Sequence, residues 1–161
     1  MMLKVPPIDP KAIPRSQIAT EVAKRFAALR RLATIELNRA LAPLGASAAM
    51  YNILLRLSME REVAQQDLVF DAGLDAAGVS RLITRLAERK LVSVRVDASD
   101  RRKKVIALTS EGESFARTLE PVVDAAMRRL VGGLDEGEER ELLRILDKAL
   151  QGMIQTIQKS K

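Results

Sequence analysis

Val79-Ser80-Arg81-Leu82-Ile83-Thr84-Arg85-Leu86 is the stretch on which the reading of this 161-residue chain turns. Its apolar members recur at the three-and-four spacing of one helical face, and Ser80, Arg81, Thr84 and Arg85 share the other. Asp75 is a suitable N-cap, so the helix should run from there to Arg89 or Lys90. Just upstream, residues 64–72 predict a shorter helix with Leu68 and Val69 inward, ended by Gly73 as the left-handed residue. Two helices separated by only a Gly-Leu turn make a helix-turn-helix. Just downstream, residues 93–96 and 104–108 read as strands. The segment between them, Asp97-Ala98-Ser99-Asp100-Arg101-Arg102-Lys103, is rich in turn formers, so a hairpin with a charged tip follows. A hairpin in that place is a wing.

Farther out, Ser47 is a good N-cap for a helix burying Met50, Ile53, Leu54 and Leu57. Residues 16–41 place Ile18, Val22, Phe26, Leu29, Leu32, Ala33, Leu37 and Leu41 on one face of a long helix, with Pro14 and Ser16 as start signals and Pro43 with Gly45 as stop. Such a helix is roughly 39 Å long, more than a small domain is wide, so part of its apolar face needs another partner. On the C-terminal side, Ser110 and Glu113 read as a capping box opening a helix with Phe115, Leu119, Val122, Val123, Ala126 and Leu130 apolar. Pro121 should kink it or interrupt one hydrogen bond. Gly132-Gly133 ends it, and Asp135 with Glu138 starts a last helix whose apolar positions run from Leu142 to Ile157. The fold class is therefore mainly α with a small β-hairpin wing.

Charge locates the function. Residues 79–109 hold nine of the 27 basic side chains and three of the 21 acidic ones, leaving 18 of each sign elsewhere. All of the net charge of +6 therefore sits in the helix and wing, the footprint of phosphate-backbone binding. A solvated charged face is the plainer alternative. A winged-helix protein adaptor has no need of charge concentrated there. The chain has no Cys and no His, which excludes disulfides, thiolate and imidazole metal sites, Cys nucleophiles and His bases. No clustered polar motif suggests a catalytic site, so no enzyme, cofactor or metal is expected. One Tyr and three Phe make a poor stacking platform for single strands. No apolar run reaches the length of a membrane span, and residues 1–15 read as an extended arm, so a cytoplasmic protein with no membrane partner is the default.

Residues 79–86, Leu91-Val92, the Asp97-to-Arg102 run and Leu108-Thr109-Ser110-Glu111-Gly112 together resemble the MarR family of transcription regulators. They match its recognition helix, D-x-x-D-R-R wing and L-T-x-x-G helix start, in order and at family spacing. The resemblance extends over about residues 16–157. It implies a homodimer with intertwined terminal helices, in which 16–45 and 111–161 are dimerisation regions and 46–110 is a winged helix-turn-helix DNA-binding domain. It also implies a pseudo-palindromic double-stranded operator and a repressor, less often an activator, released by a small organic or aromatic anionic effector. A DNA-binding or adaptor protein with no effector is the alternative.

Within that frame Ser80, Arg81, Thr84 and Arg85 are the candidates for the major groove, where a bidentate Arg reads guanine. Arg101 or Arg102 would enter the minor groove, whose negative potential attracts a guanidinium. Lys103 and Lys104 would meet phosphates or solvate the strand. Asp97 and Asp100, as the family motif implies, would pair with a wing arginine and hold the loop in shape. Ser47, Gln65 and Gln66 could donate to phosphates, although capping and exposure explain them equally.

Two positions depart from the pattern. Gly78 replaces the usual Ser or Thr, removing a hydroxyl and about 1 kcal/mol of helix propensity relative to Ala. Lys90 replaces a C-capping Gly, so the helix exit must manage without the residue that turns left-handed at no steric cost. The missing Cys and His exclude a thiol peroxide sensor and disfavour a zinc sensor. Met50, Tyr51, Phe26, Arg25 and Arg30 could line an effector slot, but a Met and aromatic cluster at helical spacing is more often ordinary core, and no ligand residue is assigned.

Overall fold

The computed structural model describes residues 6–97, 100 and 103–159. Its contacts divide into two compact units, one reaching to Ala126 and the other beginning at Met127. Among the described residues no single helix is long and apolar enough to cross a membrane.

In the first unit α1 (Arg15–Leu41) starts after Pro14 with no side-chain cap. A 3-10 turn over Ala42–Leu44 and left-handed Gly45 close it, as its stop signals predict. α2 (Ala48–Met59) is capped from two directions. Ser47 Oγ accepts from the Met50 N–H at 3.2 Å, and Asn38 Oδ1, reaching from α1, accepts from the Ala48 N–H at 2.9 Å. Two of the N–H groups that a helix start leaves unsatisfied are thereby met, and α1 is tied to α2.

The helix expected from residue 64 begins four residues later: α3 is Leu68–Ala72. Val63–Ala64 is instead a strand, β1, paired antiparallel with Ile106 and Val105. With β2 (Val92–Val96) and β3 (Lys104–Leu108) it makes a three-stranded sheet of order β1-β3-β2, in which Val94 faces Ile106 across the hairpin. α4 (Ala76–Glu88) lies between, buried along Val79, Leu82, Ile83 and Leu86. α5 (Ser110–Val131) runs through Pro121 as one helix. Its cap is Thr109 rather than Ser110. Thr109 Oγ1 accepts from the Gly112 N–H at 3.0 Å, while the Ser110 hydroxyl donates to Glu111.

Leu41, Ile53, Leu54, Leu68, Val79, Leu86, Ile106 and Leu119 are fully buried and form one core drawing on all five helices and the sheet. Each contributes roughly 1.5–3 kcal/mol of transfer free energy. Most of α1 stands outside this core. Ile18, Val22, Phe26, Leu29, Leu32 and Ile35 are exposed, and Leu41 is its one buried residue.

The second unit is chiefly α6 (Glu136–Lys159). It opens on a reciprocal capping box, Glu138 N–H to Asp135 Oδ1 at 2.9 Å and Asp135 N–H to Glu138 Oε2 at 3.0 Å, as the spacing predicts. None of its residues is buried, and Leu143, Leu150, Met153, Ile154 and Ile157 are exposed.

Candidate nucleic-acid interface

α4 owes its orientation to both of its ends. At the start, Asp75 Oδ1 accepts from the Gly78 N–H at 2.6 Å. A Cβ on residue 78 would come 2.9 Å from that same oxygen and 3.2 Å from Leu74 Cβ, so the glycine lets the cap close this tightly. At the end, Lys90 turns the chain with φ +60, the one non-glycine residue in the left-handed region among those described. The exit therefore does use the left-handed conformation, in a side chain that has a Cβ. It is held there by the Thr109 hydroxyl, which donates to the Lys90 carbonyl at 2.6 Å, and by the Thr109 N–H, which donates to the Leu91 carbonyl.

With its apolar stripe buried, α4 exposes Arg81, Thr84 and Arg85 and half-exposes Ser80. Thr84 Oγ1 donates to the Ser80 carbonyl at 3.0 Å, leaving its lone pairs outward. Arg81 and Arg85 make no hydrogen bond or ion pair with the described residues. A guanidinium without a protein partner keeps its full fork of donors for an external acceptor.

In the wing the Asp97 carboxylate accepts from the Asp100 N–H at 3.1 Å, and the Asp97 and Lys103 N–H groups close the loop onto the Lys103 and Asp100 carbonyls, both at 2.9 Å. Lys103 and Lys104 are exposed and line a groove of about 240 Å3 with Gln65 and Gln66, at the foot of the wing beside the start of α4. Arg101 and Arg102, expected at the tip, lie outside the described residues.

Not all of the basic segment is left without a protein partner. Arg95 forms a two-pronged pair with Glu62, which raises its pKa further. Arg89 donates to the Gly45 carbonyl at 2.7 Å and sits over the Phe115 ring, 4.6 Å from its centroid. Their partners lie 33 and 44 residues away, beyond what local sequence spacing reveals.

The flank of α4 borders a second groove, of about 930 Å3, between α1, α2 and α3. Arg30, Arg81 and Arg85 bring positive charge to it, and Phe70, Leu74 and Leu82 bring apolar surface. Phe70 is 93% exposed, an aromatic ring that a core would have claimed. The helical pattern assigned it no role, and its outward position beside Leu68 and Val69 was the available signal. Of the five residues weighed for an effector slot, only Arg30 lies here. Met50 is in the core, Arg25 pairs with Glu21, and Tyr51 is part-buried, its phenol pushed upward in pKa by desolvation and by Glu120 and Asp124. Among the described residues no three carboxylates gather as a metal site requires.

A two-helix turn, an outward polar helix face and a three-stranded sheet ending in a basic hairpin define a winged helix-turn-helix protein of the DNA-binding class. Comparisons with known proteins narrow the class. The profile of the MarR family matches residues 45–103. The HTH-type transcriptional repressor Rv2887 of Mycobacterium tuberculosis is 27% identical over 113 residues, 70% of this chain and 81% of that protein. Among solved structures, AbsC, a MarR family transcriptional regulator from Streptomyces coelicolor, superposes with a TM-score of 0.68 at 27% identity, covering 91% of this chain and 97% of that one. Bordetella bronchiseptica BpsR, whose DNA binding is regulated by 6-hydroxynicotinic acid, gives 0.69 at 25% identity over 80% of this chain and 98% of that one. Residues 45–103 thus match the MarR family profile, and most of the chain is similar in sequence and fold to MarR-family regulators.

Proposed function

We propose that this chain is a sequence-specific duplex-DNA-binding transcription repressor that acts as a homodimer and is released by a small organic acid. The observation that carries the reading is the pair Arg81 and Arg85, exposed on the outer face of α4 and making no hydrogen bond or ion pair among the described residues. Their guanidinium groups, with Ser80 and Thr84, suit base edges in a major groove. Lys103, Lys104 and the wing residues Arg101 and Arg102 supply phosphate and minor-groove contacts, and Asp97 and Asp100 shape the loop that presents them. Residues 46–110 serve as the DNA-binding domain, and 16–45 with 111–161 as the dimerisation regions. The exposed apolar residues of α1 and α6 are surface that a second copy would cover.

Release follows from the larger groove. An aromatic carboxylate set against Phe70 and Leu74 would place its anion among Arg30, Arg81 and Arg85. Two of those cations are the ones proposed for base reading. Relatives support this ligand class: BpsR responds to 6-hydroxynicotinic acid, and Rv2887 has been solved in complex with p-aminosalicylic acid.

The test is a titration of the purified protein against the intergenic DNA upstream of its own gene at two salt concentrations, with Arg85→Ala alongside. Wild type should bind with a steep salt dependence, and Arg85→Ala should lose about 1–3 kcal/mol. Absence of wild-type binding at low salt would sink the function, and equal binding by Arg85→Ala would sink the site. Nicotinate or salicylate analogues added to the complex should displace the DNA. No displacement by any of them leaves a DNA-binding regulator without this effector class.

A further inference from the structure

Arg81, Arg85 and Arg89 follow one another at four-residue spacing, which on a continuing helix would align all three side chains. The structure breaks the series at its last member. α4 ends at Glu88, and the exposed Arg89 side chain reaches across to other elements instead of continuing the row. Its Nη1 donates to the Gly45 carbonyl at 2.7 Å and lies 3.5 Å from Met50 Sδ, and its Cζ stands 4.6 Å from the centre of the Phe115 ring. Three separate elements meet at this one side chain: the turn that joins α1 to α2, the buried start of α2, and the first turns of α5.

We propose that Arg89 is a positioning residue for DNA reading. It touches no DNA, and fixes the pitch of α4 by clamping its C-terminal end to the α1–α2 turn and to α5, so that Arg81 and Arg85 reach base edges together. The inference rests on the reading of α4 as the recognition helix. Its physical basis is that a charge-assisted hydrogen bond and a cation over a ring each act over a short range and a narrow range of directions. Gly45 precedes the Ser47 cap of α2, and Phe115 lies three residues beyond Gly112, whose backbone packs on the exit of α4. The start of α4 is held by its Asp75 cap and its buried stripe, and Thr109 fixes the backbone of its exit, whereas Arg89 ties that exit to the α1–α2 turn and to the Phe115 ring. Loss of this tie frees a tilt that separates the two reading arginines from their register.

The experiment compares wild type, Arg89→Met, Arg89→Lys, Phe115→Leu and the double variant Arg89→Met/Phe115→Leu by fluorescence anisotropy, on the operator duplex and on a random duplex of equal length across a salt series. Arg89→Met keeps the stem and removes the guanidinium. Arg89→Met and Phe115→Leu should each weaken operator binding by about tenfold, the double variant should be no weaker than the worse single one, and Arg89→Lys should recover part of the loss. Random-duplex affinity and the salt slope should stay at their wild-type values, because no phosphate contact is removed. A merely structural defect would weaken both duplexes together, and that outcome overturns the proposal. So does a salt slope that falls by about one, which would make Arg89 a phosphate contact, or an operator affinity that Arg89→Met leaves unchanged. If Arg89→Met does not fold, Phe115→Leu carries the same comparison. A wild type with no operator preference overturns the recognition-helix reading itself.

Discussion

Lys90 shows what a single residue costs and why its neighbours allow it. In the left-handed region a Cβ crowds the following carbonyl, a penalty on the order of 1–2 kcal/mol. Here the chain accepts it because the Lys90 N–H closes on the Ala87 carbonyl at 2.8 Å and the Leu91 N–H on the Leu86 carbonyl at 2.9 Å, which seals the end of α4. Lys90→Gly should therefore raise stability by roughly 0.5–1 kcal/mol, read as a higher denaturant midpoint at unchanged slope. An unchanged or lower midpoint would show that the strain is offset by contacts of the lysine. Sequence alone marked position 90 as unusual but left its conformation open, since the turn is dictated by Thr109, 19 residues away. The arginines divide in the same way. Arg81 and Arg85 were legible because their surroundings are set by their own helix, whereas the capture of Arg89 and Arg95 depends on partners brought near by folding.

Among the elements, the joint between α4 and α5 leaves no room for a side chain at residue 112. A Cβ on residue 112 would fall 1.9 Å from the Leu91 carbonyl oxygen, a backbone atom that has no alternative rotamer. The first turn of α5 can approach the exit of α4 only because residue 112 is glycine. Gly112→Ala should cost about 1–3 kcal/mol or more and weaken operator binding by shifting α5, both measurable on one preparation by denaturant unfolding and anisotropy. Full retention of both would refute the close approach. Helix existence and facing were legible throughout, because long apolar periodicity is a strong local signal. Two details escaped it. β1 is two residues long, too short to show alternation, and it exists because β3 has a free edge beside it. The α5 cap moved one residue back because Thr109 also serves the α4 exit, a double duty that no capping pattern encodes.

At the scale of the whole molecule, α1 presents an exposed apolar row from Ile18 to Ile35, and α6 buries none of its residues. Homodimerisation is the expected outcome. Sedimentation should give twice the chain mass, and Leu29→Asp combined with Leu32→Asp should shift it toward the monomer and reduce operator affinity. A wild type that remains monomeric at micromolar concentration would rule the dimer out.

The groove beside α4 carries a consequence for dose and order of response. If anion and DNA draw on the same guanidinium groups of Arg81 and Arg85, occupancy by one excludes the other, and by thermodynamic reciprocity each operator raises the effector concentration needed to empty it. Weak operators are then vacated first and strong ones last. One repressor and one metabolite would thereby set a temporal sequence of gene expression, ranked by operator strength alone.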